Sequence, residues 1–133
     1  MALTVNTVEQ QGSVTNFASF FVTTDATAAV TTYFQCGFVP RYVKFVNLTD
    51  RIQDEFVKGM TDGYSLHTVA AGTVTYVTTG GITLETGATT AGALSVVTPD
   101  GSLVLDGSVP VVGFSVPAAL MVASKSFAVL AIA

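Results

Sequence analysis

Asp62, Ser65 and His67 bring an acid, a hydroxyl and the chain's single imidazole into one short stretch. Those residue types could support acyl transfer, but a nucleophilic triad needs the imidazole between the hydroxyl it deprotonates and the acid that orients it. Nothing in Asp62-Gly63-Tyr64-Ser65-Leu66-His67 enforces that order in space, so the expected role of all three is structural. Asp54 and Glu55 are the next pair of interest, as acid and base. Neighbours in sequence diverge, pointing to opposite faces of a strand or about 100° apart on a helix, which makes them a poor catalytic pair. Cys36 is the only cysteine and lies far from His67 in sequence, so there is no intrachain disulfide and no zinc-type ligand set. The glycines at 80, 81, 87 and 92 fit neither phosphate-loop spacing. The chain is therefore expected to be no enzyme and to carry no cofactor or metal.

The chemistry that stands out is electrostatic. Between Arg41 and Asp62 lie eight of the chain's fourteen charged residues, four of each sign. Arg41, Lys44, Arg51, Asp54, Glu55 and Lys58 are the candidate contact residues. A compact, charge-balanced segment in an otherwise apolar and Thr-rich chain suits a surface that registers on another surface, because paired charges set register and specificity more than affinity. The net charge of −4 and the five Lys and Arg residues exclude a phosphate-binding face, so no nucleic acid is expected as a partner. Half of the residues are hydrophobic and the mean hydropathy is +0.61, which predicts apolar surface spent on subunit or partner contacts.

The elements that must hold these residues read as strands. Thr, Val, Phe and Tyr alternate between Gly, Pro and Asp turns, and no Trp is present. Phe17–Val22, Val30–Cys36, Arg41–Leu48, Thr73–Thr79, Ile82–Glu85, Leu94–Thr98, Leu103–Leu105, Val109–Val116 and Ser126–Ile132 carry this pattern. The last of these belongs to a C-terminal apolar run from Val116 that Pro117 and Lys125 interrupt, which reads as core strands and not as a membrane span. Thr86–Gly92 reads as an exposed loop tip, and Pro99–Ser102 as a hairpin turn. Residues 51–58 support two readings. Asp50 as N-cap, Ile52 and Phe56 four apart and Gly59 as a stop give a short helix; a turn over 47–51 gives a strand returning beside 41–48. The expected fold is all-β, a compact antiparallel β-sandwich or barrel, jelly-roll-like, of about eight to ten short strands. It forms a single domain over 1–133, with 1–16 as an extended arm or edge strand. The N-terminus lacks the basic and apolar regions of an export signal.

Gly37-Phe38-Val39-Pro40-Arg41-Tyr42-Val43-Lys44-Phe45-Val46-Asn47-Leu48-Thr49-Asp50-Arg51, followed by Lys58-Gly59-Met60, resembles small virion proteins of tailed bacteriophages, the capsid decoration or cement proteins. Thr68-Val69-Ala70-Ala71-Gly72-Thr73 and Thr79-Gly80-Gly81-Ile82 extend the resemblance to about half of the chain. It departs at Lys58, where an acid is usual, and at Asp54-Glu55-Phe56, where aromatics are denser. The resemblance implies a strand for 51–58 and a structural protein on the outside of a phage capsid. Its expected partners are the major capsid protein and its own copies, as a homotrimer or, second, a dimer. It would be made in the host cytoplasm and carried on the virion surface, with no membrane partner. The competing expectation is a receptor- or carbohydrate-binding sandwich of a phage fibre or tail, using Tyr33, Tyr42, Tyr64 and Tyr76 as stacking platforms.

Overall fold

The computed structural model describes residues 17–27, 29–90, 95–97, 103–104 and 110–133. Among them are eleven strands and no helix: β1 (Phe17–Thr23), β2 (Thr32–Gln35), β3 (Tyr42–Asn47), β4 (Ile52–Val57), β5 (Ser65–Thr68), β6 (Val74–Val77), β7 (Thr83–Thr90), β8 (Ser95–Val97), β9 (Leu103–Val104), β10 (Pro110–Val116) and β11 (Ser126–Ile132). The expected arm over 1–16 and the turn at Pro99–Ser102 lie outside the described residues.

Two sheets form, in the orders β1-β11-β3-β4-β5-β6 and β7-β10-β2-β8-β9. Pairing is antiparallel except between β2 and β8. The sheets do not close on each other, so the architecture is a sandwich and not a barrel. Period-two alternation explains the facing: Val43, Phe45 and Asn47 of β3 are buried while Tyr42, Lys44 and Val46 between them are half-exposed. Phe127, Val129 and Ala131 of β11 continue the buried side. Across the interface the ring of Phe20 meets Phe34 edge-on at 5.1 Å, and Phe34 stacks on Phe114 at 4.9 Å. Each fully buried side chain of this kind contributes about 1.5–3 kcal/mol, so the aromatic layer outweighs exposed ion pairs in holding the sheets together.

Close approach of β2 and β10 requires a glycine. A Cβ on Gly113 would lie 2.0 Å from the Phe34 carbonyl oxygen. Next to it the β10–β7 register shifts between Pro110 and Val112, while on the β2 side of β10 the Gln35 side chain extends the pairing beyond the Gly113–Gln35 partners. Its Nε2 donates to the Pro110 carbonyl at 2.8 Å and its Oε1 accepts the Val112 N–H at 2.8 Å.

Three elements differ from, or decide between, the sequence expectations. Residues 52–57 are a strand, because Asn47 to Arg51 turn the chain back onto β3 in full register. Ser65–Thr68 is a strand that periodicity did not reveal, and it brings the count to eleven. Thr86–Thr90, expected as part of a loop tip, continues β7. Its composition is too polar and small to signal a strand, yet β10 offers it a ladder, with Thr86 opposite Val112 and Thr90 opposite Pro110.

Candidate functional site

The hydroxyl and imidazole singled out in the sequence do meet, but around Asp54 and not Asp62. Asp54 lies directly opposite His67 in the β4–β5 register, and Ser65 shares the inward face two residues earlier. The Ser65 hydroxyl donates to Asp54 Oδ2 at 2.6 Å, and His67 Nδ1 lies 2.9 Å from Asp54 Oδ1. The carboxylate thus stands between hydroxyl and imidazole, the inverse of a nucleophilic triad, and the imidazole is engaged with Asp54 instead of the hydroxyl it would deprotonate. Asp54 is 1% exposed and Ser65 0%, so the cluster is a buried clamp that fixes β5 on β4. Asp62 is elsewhere and accepts the Leu84 N–H at 3.2 Å. Among the described residues no three His, Cys, Asp or Glu side chains are grouped to hold a metal ion.

Asp54 therefore leaves the set of candidate contact residues. The signal that places it inside was present in the sequence: on a strand it shares its face with Ile52 and Phe56, two positions away on either side.

Burial of Asp54 also undoes the charge balance of the segment. Asp50 is held by Lys125 Nζ at 3.1 Å and by Asn47 Nδ2 at 3.0 Å. Glu55 opposes Lys44 in register but accepts the Tyr42 hydroxyl. That hydrogen bond, after burial as the larger cause, pushes the Tyr42 phenol up to about 12. Among the described residues the ion pairs are His67–Asp54 and Lys125–Asp50. Arg41, Arg51 and Lys58 are exposed and make neither. Arg41 and Lys58 sit together at one end of the β3–β4 hairpin, where the Lys58 N–H donates to the Arg41 carbonyl. Arg51 stands at the other end, in the turn, at φ 59°. The segment that is neutral in sequence presents cations at both ends of the hairpin.

Between them lies the outer face of the six-stranded sheet. Register partners form continuous rows across it: Ser19, Leu130, Lys44, Glu55, Leu66, Tyr76 in one, and Phe21, Ala128, Val46, Gln53, Thr68, Val74 in the next. No second layer covers this face among the described residues, and Phe21, Val74 and Tyr76 are exposed on it. A recess lined by Val46, Leu48, Gln53, Val69 and Arg51 opens on the same side. Of the four tyrosines considered as platforms, Tyr64 and Tyr76 meet edge to face with centroids 5.6 Å apart. Tyr42 is tied to Glu55, and Tyr33 belongs to β2 of the other sheet. Cys36 is largely buried, which pushes its thiol up to about 12 and removes it as a nucleophile.

No protein-family model matches the chain, and no curated protein or solved structure is significantly similar to it.

Proposed function

We propose that the protein is a non-enzymatic structural component of a bacteriophage particle, a decoration or cement subunit that sits on the outside of the capsid as a homo-oligomer and strengthens the shell. Its partner is the major capsid protein. The subunit is made in the host cytoplasm and ends on the virion surface. The observation that carries this reading is the open face of the six-stranded sheet, on which Phe21, Val46, Leu66, Val74, Tyr76 and Leu130 lie beside Lys44 and Glu55, with the exposed cations Arg41, Lys58 and Arg51 at the hairpin ends. The apolar side chains supply affinity in proportion to the area they bury. Cations at the strand ends steer the approach and fix the register against a partner that offers carboxylates beside apolar side chains.

Arg51 is the residue to test, because it lines the recess on that face. Reversal to Glu places an acid against the partner's acids and is expected to weaken association by about 2 kcal/mol, roughly 30-fold in affinity. Co-sedimentation of the variant with assembled shells measures this. Arg51→Asn, which keeps a residue tolerant of the left-handed turn, is expected to give an intermediate loss. Unchanged co-sedimentation of both variants counts against the reading. The sugar-binding alternative gains little from the structure, since Tyr64 and Tyr76 turn toward each other and do not present parallel ring faces; a reproducible hit on a glycan array would revive it.

A further inference from the structure

The six-stranded sheet ends at β6, and the way it ends is unusual for an edge. Natural edges are blunted by shortness, charge, proline, bulges or a covering element, and of these β6 has, among the described residues, only its length of four residues. From Thr68 to Leu84 the chain carries no charged residue and no proline. β6 pairs with β5 in unbroken register and has no neighbour on its other side among the described residues. It also overhangs the sandwich, since Val74, Thr75 and Tyr76 are all exposed, whichever face they occupy.

The hydrogen-bond phase of this edge is set by the turn. The Val69 N–H donates to the Thr73 carbonyl, so by antiparallel alternation Thr75 bonds to His67 and Val77 to Ser65. Val74 and Tyr76 then direct their N–H and C=O groups to the open side. This pattern is self-complementary. A two-fold axis normal to the sheet at Thr75 sets Val74 opposite Tyr76 of the second copy, and Tyr76 opposite its Val74, each pair exchanging both backbone hydrogen bonds. The outer face gains an aromatic and β-branched cross-strand pair on either side of the axis, a favourable combination.

We propose that β6 is a self-association edge on which a second copy of this chain adds its own β6 antiparallel about Thr75, joining two six-stranded sheets into one. Charge favours this occupant. A chain of net charge −4 repels its copy over most surfaces, whereas this edge is neutral and brings no like charges together. The area sets the strength. Four strand residues, Val74 to Val77, span about 13 Å along a sheet edge about 10 Å deep, which is small for a specific interface. Association is therefore weak and concentration-dependent. Because the axis is normal to the sheet, the two outer faces look the same way and their open rows become continuous. The pairing stands independently of the capsid reading and replaces the threefold expectation with a twofold one.

Sedimentation of the purified protein over a range of concentrations, without capsids, reads the mass. A monomer–dimer curve is expected; a trimer, or a monomer at every concentration, overturns the proposal. Val74→Pro removes an N–H that faces the open side and leaves the monomer's ladder intact, so it is expected to abolish the dimer with unchanged circular dichroism. Thr75→Lys opposes two like charges at the axis and is expected to do the same; a wild-type curve from both variants overturns the proposal. Register is read by cross-linking in a Cys36→Ser background. At the axis the paired Cα atoms are about 4.5 Å apart, within disulfide range. Two Thr75→Cys thiols are then oxidised to one intersubunit disulfide as oxidised glutathione is reduced to two thiols. Thr78→Cys, about 20 Å from its own copy in this register, is not expected to link. Equal linking of the two variants overturns the register. Loss of capsid co-sedimentation with dimerisation intact would instead strike only the capsid reading.

Discussion

Replacing Asp54 by alanine should destabilise the protein more than replacing any exposed member of the charged segment. Asp54 accepts hydrogen bonds from Ser65 and engages His67 from a fully buried position. Hydrogen bonds to a carboxylate contribute about 1.5–3 kcal/mol each, and a buried hydroxyl left without a partner costs about 1–3 kcal/mol. The two quantities overlap, and together with the small cavity they give about 3–4 kcal/mol, against a total stability of about 5–15 kcal/mol for a domain. Asn in the same place keeps the shape and one acceptor and should cost about half as much. Urea unfolding followed by tyrosine fluorescence suits a chain without tryptophan. With a slope of about 1–2 kcal/mol per molar, the Asp54→Ala midpoint should fall by roughly 2–3 M. His67→Ala and the double variant complete a cycle, in which the second substitution should cost much less once the first is made. A loss below about 1 kcal/mol for Asp54→Ala, or strict additivity with His67→Ala, would refute the clamp. The clamp matters beyond stability because, among the described residues, β6 reaches the sheet only through β5. Weakening it should also free the β5–β6 hairpin, seen as faster amide exchange at residues 65–77 than in the rest of the sheet.

Other substitutions probe separate parts of the reasoning. Gly113→Ala, whose Cβ would lie 2.0 Å from the Phe34 carbonyl oxygen, must separate β10 from β2 and should cost at least about 3 kcal/mol by thermal or urea unfolding. Arg51→Gly should do the opposite, gaining about 0.5–1 kcal/mol by relieving a left-handed non-glycine residue while lowering shell association; loss of stability would refute the strain argument. Tyr42 has its phenol raised from 10.0 to about 12, so the folded state favours the neutral form. Its contribution is complete below pH 10, declines as pH rises through about 12, and is gone above that. Tyr42→Phe should flatten the stability profile over that window, and an unchanged slope would contradict the cause assigned.

Much of the fold was legible in residue pattern. β3, β10 and β11 combine β-branched and aromatic residues with turn signals at their ends; the expected span of β11 is the observed one, and those of β3 and β10 agree to within a residue at each end. The strand over 52–57 was left open because Ile52 and Phe56 satisfy both a helical and an extended spacing, and only pairing with β3 excludes the helix. β5 escaped notice because its inward residues, Ser65 and His67, are polar. Periodicity assumes that the inner face is apolar, and that assumption fails where a buried acid across the ladder satisfies the polar groups.

The sequence by itself determined that the chain is all-β, that it has no cysteine framework, and that its charges gather between Arg41 and Asp62. Tertiary structure alone decided which of those charges face outward. Burial of Phe56 turns Asp54, on the same face two residues earlier, inward, Lys125 arrives from a distant strand end to hold Asp50, and Arg41, Arg51 and Lys58 are left at the surface. Long-range pairing also decided that, among the described residues, β6 ends the sheet as an uncharged edge. A local pattern can say that a strand forms, but which of its two sides finds a neighbour depends on where every other strand has already gone.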